Sequence, residues 1–394
     1  MNFVYVSPQF PKNFYHFCEC LKNNGVNVLG IGDTPYDELA PELKASLTEY
    51  YKVNTLESMD EKIRALGYFI HRYGKIDWLE SNNEYWLESD AALRTDFNIT
   101  TGMKTDHILD FKAKSAMKAF YEKAGVPTAR YHLVKEEADA KAFIALVGYP
   151  VIVKPDIGVG ASKTYRLNND EELMSFLAEM GDVQYIMEEF VNGTIETYDG
   201  IVDLDNEVVF ETSHVFPEPV MNIVNDSLDM AYYSQREIPA DLLDAGRRTL
   251  KAFNVRGRCF HFEFFRLNEA KEGLGNQGDI VGLEVNMRTP GGYTPDMMNF
   301  ANDCNIYQMY ADMVVYGKYQ GPAPERLYSC VYASRRDNHV YQHTHTEIME
   351  KYHGDMVMQE RMPAILADAM GEEFYMARFK TQEEVDAFIR FVQM

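Results

Sequence analysis

The chain has 394 residues, of which 61 are acidic and 38 basic, giving a formal net charge of −23. This balance argues against nucleic acid or an anionic membrane as the main partner, since either needs a basic face, although a local basic pocket for one small anion is compatible with it. A composition of 46% hydrophobic and 25% charged residues argues against disorder, and the length suggests two or three structural units.

Residues 3–6 are β-rich, 14–21 have helical spacing up to Asn23-Asn24-Gly25, and 26–31 are β-rich again. Residues 50–53 read as a third strand. Residues 58–73 read as an amphipathic helix with Ile63, Leu66 and Ile70 on one face, and 76–79 as a fourth strand. The alternation predicts an α/β unit over residues 1–104, with a parallel sheet covered on both faces. Thr105 or Asp106 is expected to cap a helix whose stripe is Leu109, Ala113, Ala116/Met117, Phe120 and Ala124, closed by Gly125 and Pro127. A helix over 136–146 precedes a buried strand at 150–153. Strands are then expected at 183–187, 195–202, 207–212, 259–265 and 280–285, with Asp205-Asn206 as a hairpin turn. Residues 266–279 read as a loop. Thr381 and Glu384 have capping-box spacing for a C-terminal helix.

No apolar run is long enough to span a bilayer, and residues 1–6 lack the basic and apolar regions of a secretory leader. The five cysteines, Cys18, Cys20, Cys259, Cys304 and Cys330, form no even framework. Free thiols in a cytoplasmic protein are the expectation.

Four segments carry chemistry. In residues 153–164 (VKPDIGVGASKT) a buried strand delivers Lys154 to a glycine-containing loop whose N–H groups can face an anion. It is not a Walker A loop, because Ser162 and Ile157 stand where glycines are needed. Nor is it a dinucleotide fingerprint, because Lys163 takes the third glycine position. Two strand segments carry acids. Alternation sets Glu263 opposite Phe260, Phe262 and Phe264, and places Glu284 and Asn286 on one face. If the strands are neighbours, three oxygen donors converge, a set suited to Mg²⁺. Arg288 follows two residues later, placed to stabilise charge on a transferring phosphoryl group. Residues 185–196 (YIMEEFVNGTIE) could offer a purine an acceptor, a backbone donor and an apolar wall. His339, His343, His345 and His353 lack a clear metal-ligand pattern, and Cys18-x-Cys20 reads as packing.

In order and approximate spacing these segments resemble the ATP-grasp superfamily over residues 105–290, in the branch of biotin carboxylase, carbamoyl-phosphate synthase and the amino-acid ligases. The resemblance implies a parallel-sheet α/β domain followed by an ATP-grasp fold that holds ATP between two lobes. It implies boundaries of 1–104, 105–190 for a small lobe, 191–320 for a core lobe, and 321–394 for a C-terminal part packing on that lobe. By position it makes Lys114 the first ATP-contacting lysine, although Ala113 stands where the family usually has aspartate. Lys154 becomes the second lysine, and Gly158, Gly160 and Ser162 the phosphate-covering loop. Glu188, Phe190 and Val191 become the adenine hinge, Glu196 the ribose acid, Glu263, Glu284 and Asn286 the ligands of Mg²⁺ or Mn²⁺, and Arg288, with Lys154, the catalytic cations.

The chemistry implied is ADP-forming ligation of a small carboxylate to an amine through an acyl phosphate. The partners implied are small molecules rather than nucleic acid or membrane, with homodimers common in the superfamily. Residues 284–292 (EVNMRTPGG) resemble the amino-acid ligase version more than the biotin carboxylase version. A bicarbonate-activating enzyme and an ATP-binding sensor without turnover are the alternatives. Residues 216–233 read either as a substrate wall or as a packed loop between lobes.

Overall fold

The structure, a computed structural model, describes residues 1–158 and 163–394. Three strands, β1 (Asn2–Val6), β2 (Asn27–Gly32) and β3 (Glu49–Lys52), alternate with helices α1 (Tyr15–Asn23), α2 (Pro41–Ser46) and α3 (Met59–Tyr73). β4 (Trp78–Glu80) and α4 (Leu87–Asp96) complete the unit. The sheet is parallel in the order β3-β2-β1-β4, as the alternation predicts. β2 and β4 flank β1 on opposite sides, so the chain reverses direction across the sheet there. The crevice outside the carboxyl ends of β1 and β4 is where such sheets bind ligands. Ser58 caps α3 as its position suggests. The buried face of α3 is Lys62, Ala65, Leu66 and Phe69, however, and Ile63 is exposed. The aromatic residue at 69, rather than the aliphatic spacing, sets the helix's rotation.

The helix expected from residue 105 starts later. Ile108–Phe111 is a 3-10 turn, Leu109 is exposed, and α5 spans Lys114–Lys123. Ala113 at its start has no capping side chain. Asp156 caps from another segment: Ser115 donates to its carboxylate through both backbone N and Oγ at 2.8 Å, and Lys114 N donates to its carbonyl at 2.9 Å.

A second, antiparallel sheet has the order β5-β8-β6-β7, from β5 (Tyr131–Val134), β6 (Val151–Pro155), β7 (Tyr165–Leu167) and β8 (Tyr185–Glu189). Helices α6 (Glu137–Val147) and α7 (Asp170–Glu179) belong to the same stretch of chain. Residues of both pack with the sheet's apolar side chains.

The third sheet is the largest. It is built from β9 (Gly193–Val202), β10 (Val208–Thr212), β11 (His214–Phe216), β12 (Ala231–Ser234), β13 (Arg258–Leu267), β14 (Ile280–Asn286), β15 (Ser329–Arg335), β16 (Met356–Arg361) and β17 (Glu373–Phe379). Its order is β14-β13-β9-β11-β12-β15-β17-β16, with β10 also paired to β9. Asn206, at φ 69°, turns β9 into β10. The helices of this region are α8 (Val220–Asp226), α9 (Ala240–Phe253), α10 (Thr294–Asn302), α11 (Ile306–Tyr316), α12 (His345–Lys351), α13 (Ala364–Met370) and α14 (Gln382–Gln393). The Thr381–Glu384 capping box opens α14 as expected. Among the described residues, no helix is long and apolar enough to cross a membrane.

One face of β13 buries Phe260, Phe262 and Phe264 against residues of α5 and α9. This leaves Glu263 and His261 on the other face. Gly282 of β14 lies against the Tyr121 ring: a Cβ there would stand 2.5 Å from ring atoms. The glycine thereby lets α5, which carries Lys114 and Lys118, sit close to the strand that carries Glu284. The first and third sheets are joined by a buried network. Glu80 accepts from Arg94 Nη2 at 2.9 Å and Arg258 Nη2 at 2.8 Å. The same arginines donate to the carbonyls of Leu79 and Met287. Burial alone would raise the Glu80 pKa, but the two guanidinium groups outweigh it and lower it.

Candidate active site

Lys154 leaves the end of β6, which runs antiparallel to β8 and brings Glu188 opposite Ile152. The Lys154 ammonium lies 2.7 Å from Glu188 Oε2. Lys118, one helical turn beyond Lys114 on α5, pairs with Glu188 Oε1. All three side chains are buried. Burial would raise the Glu188 pKa, but its two lysines outweigh that and hold it at about 2. Burial dominates at Lys118 and lowers its pKa, whereas at Lys154 the attraction of Glu188, Glu284 and Glu263 outweighs burial and raises it. Lys114 Nζ stands 3.5 Å from Glu284 Oε1 and 3.5 Å from the Gly158 carbonyl.

Across from these cations, two rungs of the large sheet align functional groups on one face. Glu284, Glu263 and Thr197 are successive register partners on β14, β13 and β9, and Asn286, His261 and Asp199 form the adjacent rung. A register irregularity directly after Glu263 realigns the strands, setting Gly282 against Phe264. Asp199 is fully buried and accepts from His261 Nδ1 at 2.6 Å and His214 Nδ1 at 2.7 Å, with the Thr197 hydroxyl on the same oxygen as His214. His261 Nε2 lies 3.1 Å from Glu263 Oε1. Burial would lower the His261 pKa, but Asp199 and Glu263 outweigh it and push it up to about 9. No group of three or more His, Cys, Asp or Glu gathers as a metal cluster among the described residues. The acid face therefore offers two carboxylates and one amide. Such hard oxygen donors fit a Mg²⁺ ion that completes its shell with water and phosphate oxygens.

Arg288, two residues beyond β14, donates from Nη1 to the Thr289 carbonyl at 2.8 Å. Its Nε is 3.7 Å from Glu84 Oε2. Glu84 lies just past β4, at the crevice of the parallel sheet, and its other oxygen pairs with Lys112 at 3.0 Å. Among the described residues Glu84 Oε2 is buried and accepts no hydrogen bond, the Arg288 guanidinium being its charge partner.

Residues 112–198 match the family model described as "Carbamoyl-phosphate synthase L chain, ATP binding domain". The "L-arginine-specific L-amino acid ligase" of Bacillus subtilis is 24% identical over 269 residues, which is 64% of this chain and 61% of that protein. The chain thus spans less than two thirds of that relative. Solved structures share the fold. The L-amino acid ligase from Bacillus licheniformis superposes with a TM-score of 0.72 over 99% of this chain and 96% of its own, at 13% identity. N5-carboxyaminoimidazole synthetase from Staphylococcus aureus, complexed with ADP, gives 0.71 over 99% and 96%, at 14% identity. Residues 112–198 thus resemble an ATP-binding domain of the ATP-grasp type, and the chain shares the fold of those two structures.

Lys114, Lys154, Glu188, Glu263, Glu284, Asn286 and Arg288 line one cleft between the second and third sheets. Gly158 is at its edge, and Gly160 and Ser162 lie outside the described residues. Phe190 and Val191 follow β8. The Phe190 carbonyl accepts from Lys271 Nζ at 2.6 Å, its ring lies 4.6 Å from the Arg166 guanidinium, and Val191 packs with Ala129, Leu267 and Val281.

Glu196 is the correction. It is the register partner of Phe264 and points to the opposite face of the sheet from Glu263. Arg266 grips it with two donors, Nε at 2.7 Å and Nη2 at 2.9 Å. The strand's period of two decides this: a residue one place out of phase with Thr197 and Asp199 cannot share their face. Sequence reasoning missed Lys118, Asp199, His261 and Glu84. Lys118 was findable as one helical turn beyond Lys114, and His261 as two residues before Glu263 on a strand. Asp199 and Glu84 needed the register and the packing of the sheets. The C-terminal histidines are apart: His339 pairs with Asp229, His343 stacks on Phe391, and His345 meets Tyr375.

Proposed function

We propose that the chain is an ATP-dependent, ADP-forming ligase that joins a small carboxylate, an amino acid on at least one side, to an amine. The observation that carries this reading is the facing of a lysine set, Lys114, Lys118 and Lys154, against the Glu263–Glu284 pair across one cleft. A triphosphate needs cations, and the metal that accompanies it needs carboxylates. The work divides over four parts, residues 1–104, 105–190, 191–320 and 321–394, in a cytoplasmic homodimer.

In the first step a substrate carboxylate oxygen attacks the γ-phosphorus of ATP, the bond to the β-phosphate oxygen breaks, and an acyl phosphate and ADP result. In the second the amine attacks the acyl carbon, loses a proton and expels phosphate. Lys114 and Lys154 hold the phosphates in line, with Gly158, Gly160 and Ser162 covering them. The 190–191 backbone meets the adenine, whereas Glu188, read from the resemblance as part of that hinge, has both oxygens on Lys118 and Lys154 and holds the lysines instead. Glu263, Glu284 and Asn286 hold Mg²⁺ or Mn²⁺, which supplies charge neutralisation when bound. Arg288 stabilises the transferring phosphoryl group. Glu84 and Arg288, 3.7 Å apart, offer an anionic and a cationic partner to a zwitterionic amino acid.

Phosphate release from Mg-ATP across a matrix of amino acids, other carboxylates and amines, with and without bicarbonate, tests the reading, with Glu284→Gln as the blank. Release that requires an amino acid and rises with an amine is expected. Release with bicarbonate alone replaces it with carboxyphosphate chemistry, and ATP binding with no release in any arm replaces it with a sensor.

A further inference from the structure

The Asp199–His261–Glu263 chain is more elaborate than an ordinary buried ion pair. Asp199 has both oxygens committed, one to His261 and the other to His214 and Thr197. His261 has both ring nitrogens facing carboxylate oxygens, at 2.6 and 3.1 Å. Carboxylates only accept, so the ring donates from both sides. Glu263 Oε1 therefore accepts from His261, and among the described residues no hydrogen-bond donor reaches Oε2. Its side chain is the exposed end of the chain, while His261 and Asp199 are buried behind it. The rung register places Asn286 beside His261 and Glu284 beside Glu263, so the whole chain abuts the oxygen-donor face.

We propose that His261 is a positioning residue. Held by Asp199, it pins Glu263 Oε1 so that Glu263 presents a single oxygen, Oε2, to the divalent cation of the nucleotide complex. The proposal rests on the ligase reading above, in which Glu263 is a metal ligand. A glutamate on a strand has three side-chain torsions to fix, and one hydrogen bond from a ring that is itself anchored removes most of that freedom before the metal arrives. The positive charge of the ring is offset by Asp199 at 2.6 Å. What reaches the cation is thus orientation rather than repulsion.

The test measures Mn²⁺ binding to the enzyme–ADP complex by electron paramagnetic resonance on the full chain, alongside metal-free ADP affinity and thermal midpoint. Glutamine at 261 places its amide nitrogen near the position of Nε2 and can still donate to Glu263. Asparagine places its amide nitrogen near Nδ1 and reaches only Asp199. His261→Asn is expected to weaken Mn²⁺ about 10- to 100-fold, the range for losing a metal ligand's hydrogen-bond partner. His261→Gln is expected to stay within about threefold of the parent, and metal-free ADP affinity to hold in both. This difference between two variants that both lose the imidazole is what a merely structural role would not produce. Equal loss in both variants, no loss in either, or a greater loss in the glutamine variant overturns the proposal while the parent's Mn-ADP binding upholds the nucleotide site. Failure of the parent to bind Mn-ADP overturns the ligase reading and this inference together.

Discussion

Two buried carboxylates in this molecule each sit between two cations, and they are built differently. Glu80 lies between Arg94 and Arg258 at the junction of the parallel sheet and the large sheet. Glu188 lies between Lys118 and Lys154 in the cleft. Arg94 and Arg258 also donate to the Leu79 and Met287 carbonyls, so each planar fork is held by more than its ion pair. A lysine is a compact charge on a flexible stem, able to turn from one anion to another without breaking a fork. The lesson is that one charge pattern yields a permanent joint with arginine and an exchangeable one with lysine. Glu188 is suited to hold the lysines until a nucleotide phosphate competes for them.

Breaking the permanent joint should have the largest effect. Glu80→Gln leaves two buried guanidinium groups short of a counter-charge, and a loss of about 3–5 kcal/mol is expected in thermal or urea unfolding. An unchanged midpoint would mean that the joint carries no stability. Breaking the exchangeable joint should act on turnover instead. Lys154→Met is expected to cut kcat for phosphate release by about 10²–10³, with less loss of stability than Glu80→Gln causes. Equal damage to folding from both would erase the distinction.

The smallest effect is the pH dependence, which sharpens the contrast at each end of the scale. The Glu188 pKa is depressed to about 2, so its ion pairs contribute fully above the unfolded carboxylate value near ~4.3 and are lost as pH falls through about 2. The His261 pKa is raised to about 9, so its contribution is complete below the unfolded value near ~6.5 and is lost as pH rises through about 9. Thermal midpoints across pH should show Glu188→Gln removing part of the acid-side fall and His261→Gln part of the alkaline-side fall. A profile unchanged in shape in either variant contradicts the assignment for that group.

Much of the fold was legible because periodicity carries it. Strand and helix alternation marked the parallel sheet, and Thr381 with Glu384 marked the last helix. The helix over 105–124 was misplaced because its cap, Asp156, comes from a distant segment that no local spacing reveals. The acid face was legible from alternation on β13 and β14, since both strands keep their faces around the residues that matter. Glu196 was misread because a resemblance in spacing does not say which side of a strand a residue takes, and only the register with Phe264 does. Asp199 and Glu84 were invisible because a buried acid looks like any other until its partners, on other strands and another sheet, are known.

The joint at Glu80 has one more consequence, for how the protein could acquire new specificities. Residues 81–84 begin where β4 ends, directly after the carboxylate that holds the two sheets together, and lead to Glu84 beside Arg288. Ser81 and Asn82 belong to the anchor: their backbone N–H groups donate to Glu80 Oε1, Ser81 Oγ donates to Asp90, and Asn82 is fully buried at φ 52°. Substitutions at 81 or 82 would disturb the joint itself. A new small molecule is therefore best met by changes at Glu84, whose side chain leaves the anchor and faces Arg288.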